Sequence, residues 1–132
     1  MMSKQHLQTY QNNTVNTASG SQLTMMLYNG CIKFINQAIK SLNDNDYEAK
    51  NSNIQKAQDI IQELMLTLDQ ESEISKQILP LYEFIYYQLQ QGNIKNEVEF
   101  LKEARTFVTD FRDTWKEVMK KESAPYVQGA QV

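Results

Sequence analysis

The chain offers few residues able to do chemistry, and their spacing limits what they can do. Among its 132 residues there is one histidine, His6, and one cysteine, Cys31. Zinc needs several Cys, His or carboxylate ligands, and a di-iron bundle needs Glu-x-x-His pairs facing a core. One His and one Cys build neither site. His6 therefore reads as a solvated residue, and Cys31, set in an apolar helical pattern, as a buried reduced thiol. Asp44-x-Asp46-x-Glu48 has the opening rhythm of a calcium loop. However, Ala49 stands where that loop turns on glycine, and Gln55 where it ends on glutamate, so a capped helix start is the better reading. Asp110, Arg112 and Asp113 are charged neighbours on a helix. Successive helical residues point in different directions, so these three make a solvated face rather than a catalytic cluster. No phosphate loop, nucleophile elbow or Cys/His pair occurs. The expectation is a protein without catalytic residues, metal or cofactor.

What remains is contact chemistry. The chain has 7 Tyr and 6 Met. Met25, Met26, Tyr28, Met65, Tyr82, Tyr86 and Tyr87 fall in helical patterns. Methionine adapts to irregular partners, and tyrosine joins an apolar ring to a polar tip. Such residues serve either as core and core rim or as the lining of a groove for a partner helix. Partner class is narrowed by charge. A 22% charged fraction and a net charge of -3 argue against nucleic acid, which needs a basic face. Met1-Met2-Ser3-Lys4-Gln5-His6 holds no apolar signal region, and no apolar run reaches membrane-spanning length. These features predict a cytosolic protein with no membrane insertion.

The elements that position these residues are helices. With 2 Pro and 4 Gly, segments run long and uninterrupted. The first helix is predicted over about 21–42, capped by Ser19 or Ser21. Asn43-Asp44-Asn45-Asp46 is a short link, so the second helix, about 47–68, returns antiparallel with Asp46 as its N-cap. Its stripe is Tyr47, Ile54, Ala57, Ile61, Leu64 and Leu68. The third, about 73–91, carries Ile74, Ile78, Leu81, Ile85 and Leu89, with Pro80 expected to kink it and Gly92 to stop it in a left-handed turn. The fourth, about 97–121, is expected to open on a capping box from Asn96 to Glu99 and to hold a Glu117–Lys121 pair. Its face is Phe100, Leu101, Ala104, Phe107, Val108, Phe111, Trp115, Val118 and Met119. The fold class is all-α, an antiparallel up-down-up-down four-helix bundle spanning 19–122. A flexible N-terminal arm, 1–18, precedes it, and a disordered, mobile C-terminal tail, 123–132, follows.

The first helix is unusual. From Leu23 to Leu42 its apolar residues fill roughly 200° of the wheel, where a surface helix needs a stripe of about 100° or somewhat more. It needs cover on more than one side, from its own chain or from a partner. A polar, uncharged arm led by Tyr10 and containing Val15 precedes it.

Certain residues in order resemble a known family. They are Tyr10-Gln11, Val15, Thr17-Ala18-Ser19, Leu23 and Leu27-Tyr28-x-Gly30, then Lys56-Ala57-Gln58-x-Ile60-Ile61-x-Glu63-Leu64. Leu81-Tyr82-x-Phe84, Asn93-Ile94 and Phe111-Arg112-Asp113-Thr114-Trp115 follow. The set, covering about residues 8–120, resembles the flagellar export chaperones called FliS. The family often has a proline shortly before its first helix, where this chain has Ser19-Gly20-Ser21. The resemblance implies a binding module that holds the disordered C-terminal segment of flagellin, prevents premature polymerisation and delivers the client to the flagellar type III export gate. It also implies an N-terminal arm occupying part of the groove when no client is present. The residues expected at the groove are Tyr10 and Val15 as lid, with Leu23, Leu27, Tyr28, Ile61, Leu64 and Leu68 alongside. The expected state is a monomer or weak dimer. The alternative reading is a self-associating structural bundle that buries the wide arc between protomers.

Overall fold

Each apolar stripe becomes one helix. The computed structural model describes residues 20–123, in which α1 is Gly20–Asn43, α2 Tyr47–Leu66, α3 Glu73–Lys95 and α4 Val98–Ser123. The expected arm, with Tyr10 and Val15, and the tail beyond Ser123 lie outside the described residues.

The helices form a ring in which α1 packs on α2 and α4, and α3 packs on the same two. Every adjacent pair is antiparallel, as the cross-helix contacts record. Asn29 meets Arg112 while Asn36 meets Arg105 along α1 and α4. Lys50 reaches Asn93 while Gln62 reaches Tyr86 along α2 and α3. The wide arc of α1 thus finds most of its cover within its own chain. Leu27, Tyr28, Cys31, Ile35, Ala38, Ile39 and Leu42 are buried, while Leu23, Ile32 and Phe34 are only partly so. Ile54, Ile61 and Leu64 of α2, Ile85 and Leu89 of α3, and Leu101 and Val108 of α4 complete the fully buried core.

Several expectations at helix ends change. Asp46 does cap α2, its carboxylate accepting from the Ala49 amide at 3.1 Å, and Asp44 pairs with Lys40 at 3.0 Å. Gly92 does not stop α3. It lies buried inside the helix, where an added Cβ would sit 2.6 Å from Leu101 Cδ2. Its missing side chain lets α3 and α4 approach. The left-handed residue is Asn96, with φ 54° and ψ 42°, so it closes α3 and cannot serve as the N-cap of α4. Asparagine tolerates this conformation because its short amide bonds locally. α2 ends at Leu66, where the Thr67 amide and hydroxyl take up carbonyls of the last turn, leaving Leu68 in the turn that follows. Ser21 lies inside α1 rather than capping it, and Glu117 pairs with Lys120 at 3.7 Å rather than with Lys121. α3 runs unbroken through Pro80.

Candidate functional site

The two ends of the bundle differ in chemistry. One end carries the polar turns Asn43–Asp46 and Asn96–Glu97, with Tyr47 47% and Ile94 67% exposed on separate helices beside them. At the other, α1 and α3 begin and α2 and α4 end. There the apolar side chains outnumber the covering elements. Leu66 is 78% exposed, Ile74 62% and Leu81 40%. Leu23, Met65, Leu68, Ile78 and Trp115 are half-buried against the same core.

The local sequence explains this opening. On α3, Ile74, Ile78, Leu81 and Ile85 follow at i, i+4, i+7 and i+11, one stripe facing the bundle. Ile85 is fully buried, but toward the N-terminus of α3 the stripe loses its cover. The Ser72 side chain makes no capping bond there. Across the opening, the Trp115 indole N–H donates to the Ser21 carbonyl at 2.9 Å, tying the end of α4 to the first turn of α1.

Behind the opening lies an aromatic cluster. Tyr28 and Tyr82 come from α1 and α3, which touch only through side chains, and their hydroxyls meet at 2.6 Å. Phe111 of α4 stacks on Tyr28 at 5.9 Å and tilts against Tyr82 at 5.1 Å. Both tyrosines are buried, 4% and 3% exposed. Burial raises both hydroxyl pKa values. At Tyr82 the charge and hydrogen bond of Tyr28 add to the rise, whereas at Tyr28 the bond to Tyr82 opposes it. Burial likewise raises the Cys31 thiol, which lies 3.9 Å from the Ala57 carbonyl. A thiol held protonated in this way is inert. Among the described residues no group of three His, Cys, Asp or Glu could hold a metal ion, and no helix is long and apolar enough to cross a membrane.

The residues picked from the sequence divide accordingly. Leu27, Tyr28, Ile61 and Leu64 lie buried in the core, at most 4% exposed, rather than on the surface of the four-helix bundle. Leu23 and Leu68 are rim residues brought to the same end of the bundle. Leu66, Ile74 and Leu81 were missed as site residues. Leu66 broke the α2 stripe, and that off-stripe position was the available signal; Ile74 and Leu81 fitted the α3 stripe too well.

Comparison with known proteins identifies the family. A family model described as "Flagellar protein FliS" matches residues 2–122. The chain belongs to the FliS family. The FliS match spans all four helices, and its relatives are named as secretion chaperones, a chaperone family rather than an enzyme family. The flagellar secretion chaperone FliS of Bacillus subtilis (strain 168) is 49% identical over 113 residues, covering 86% of this chain and 85% of that protein. The FliS of Escherichia coli (strain K12) is 32% identical over 106 residues, 78% of each. A crystal structure of a flagellar chaperone from bacteria shares the fold, with TM-score 0.72 at 22% identity, covering 89% of this chain and 97% of that one.

Proposed function

We propose that this protein is a cytosolic chaperone that binds the disordered C-terminal segment of flagellin, prevents its premature polymerisation and escorts it to the flagellar type III export gate. The observation that carries the reading is the uncovered apolar end formed by Leu66, Ile74 and Leu81, on a bundle of the FliS family. A segment that orders on binding incurs about 2–5 kcal/mol or more. The exposed portions of those three residues amount to nearly two whole side chains. At about 1.5–3 kcal/mol per buried side chain, they contribute about 3–5 kcal/mol. They offset the ordering cost, and net affinity then comes from the half-buried rim of Leu23, Leu68, Ile78 and Trp115. Tyr10 and Val15, in the segment that precedes α1 in sequence, act as a lid that competes with the client.

Co-expression with flagellin, purification at physiological salt and sedimentation test the reading. A monodisperse one-to-one complex is the expected result. A stable dimer of this chain alone, with no flagellin retained, would favour the self-associating bundle instead.

A further inference from the structure

The seam between α1 and α4 carries a pattern that the apolar end does not use. On α4, Lys102, Arg105, Thr109, Arg112 and Lys116 follow at i, i+3, i+7, i+10 and i+14. This spacing makes one flank of the helix basic over about 21 Å. The facing side of α1 brings no carboxylate, because α1 contains no Asp or Glu between Gly20 and Asn43, and exposed Lys33 shares the stripe of Asn29 and Asn36. The arginines therefore meet neutral amides. Arg105 Nη1 donates to Asn36 Oδ1 at 2.8 Å, and Arg112 Nη1 to Asn29 Oδ1 at 3.3 Å. Arg112 also bonds its chain neighbour Asp113 through Nε at 2.8 Å, whereas no carboxylate among the described residues pairs with Arg105. Each guanidinium has five donors, so both keep N–H groups to spend. Both arginines are half-exposed and held in place by their amide partners. Half-buried Ile32 lies on α1 between the two asparagines and adds an apolar floor.

We propose that this seam is a second docking surface, taking an acidic amphipathic helix from another protein. Seven residues separate the arginines, about 10.5 Å along the axis. A helix with carboxylates seven residues apart matches that spacing and can engage both. Carboxylates exploit the planar fork of arginine far better than the amides it now holds. The occupant is not a terminus of this chain, because residues 1–19 and 124–132 contain no Asp or Glu. A polynucleotide fits poorly on a chain of net charge -3.

The test uses the full chain and three fluorescent probes at low salt. They are a 21-residue amphipathic helical peptide with Glu seven residues apart, its Gln twin, and a single-stranded 20-mer oligonucleotide. The Glu peptide is expected to bind at least tenfold tighter than the Gln twin and the oligonucleotide, and to weaken as salt rises. Arg105→Gln/Arg112→Gln is expected to abolish the difference. Asn29→Asp/Asn36→Asp places carboxylates against the same arginines. It is expected to abolish the difference too while keeping or raising the melting temperature, which separates blocked docking from misfolding. No detectable binding, equal binding of the two peptides, equal binding of the oligonucleotide, or retention of the difference in both variants would overturn the proposal.

Discussion

Removing one hydroxyl of the Tyr28–Tyr82 pair is expected to cost more than removing both. The hydroxyls lie 2.6 Å apart in a buried cluster. Two hydroxyls carry two protons, and only one proton can lie between them. Tyr28→Phe or Tyr82→Phe leaves the surviving hydroxyl without its partner, which costs about 1–3 kcal/mol. The ring contacts with Phe111, at 5.9 and 5.1 Å, survive because phenylalanine keeps the ring. Tyr28→Phe/Tyr82→Phe removes donor and acceptor together and leaves an apolar cluster of nearly the same shape. Such paired replacement is close to neutral, within about 1 kcal/mol. Urea unfolding followed by circular dichroism, run as a double-mutant cycle, measures the coupling, expected at about 1–3 kcal/mol or more. A double variant that loses the sum of the two single losses would refute the reasoning, since the hydroxyls would then act independently.

Stability is expected to fall at alkaline pH. Both tyrosines have raised folded-state pKa values, so their contribution is complete below the unfolded value of about 10 and is lost as pH rises toward the folded values. The fall approaches about 1.4 kcal/mol per pH unit for each group. The Cys31 thiol acts in the same direction from its lower unfolded value. Lys50, whose pKa is lowered by burial, acts in the opposite direction only up to its unfolded value of about 10.5, above which the tyrosine loss is unopposed. Urea midpoints between about pH 9 and 11.5 check this, and Tyr28→Phe/Tyr82→Phe is expected to flatten the curve above about pH 10; an unchanged slope there would contradict it. Gly92→Ala is expected to destabilise even though alanine is the better helix former by about 1 kcal/mol. The added Cβ meets two atoms of fully buried Leu101, at 2.6 and 2.9 Å, and overpacking of this kind costs about 1–3 kcal/mol. Gly92→Ala/Leu101→Ala, measured by thermal unfolding beside Leu101→Ala alone, is expected to remove the Gly92→Ala penalty.

Helix positions were legible in the sequence because periodicity is a property of each segment alone. α1 and α2 begin within a residue of expectation, and Asp46 announced its cap. Gly92 and Asn96 were harder. Either residue can end a helix, and the choice rests on how closely α4 approaches α3, which no local pattern encodes. The site was less legible for the same reason. A stripe such as Leu27, Tyr28, Ile61 and Leu64 says that a face needs cover but not which neighbour supplies it. Here α2, α3 and α4 supply it, and the uncovered surface moves to the end where the α3 stripe outruns its neighbours. The Tyr28–Tyr82 bond joins residues 54 positions apart, and only the assembled bundle reveals it.

The most direct measurement is calorimetric titration of the C-terminal segment of flagellin into the wild-type chain and into Ile74→Glu/Leu81→Glu. Both positions are exposed in the free protein, so the variant is expected to keep its melting temperature within a few degrees. One-to-one binding to the wild type is expected, with at least a hundredfold loss in the variant, because each glutamate replaces an apolar contact with a charge that resists burial. Absence of binding to the wild type, or equal binding to a folded variant, would contradict an apolar end built to receive flagellin.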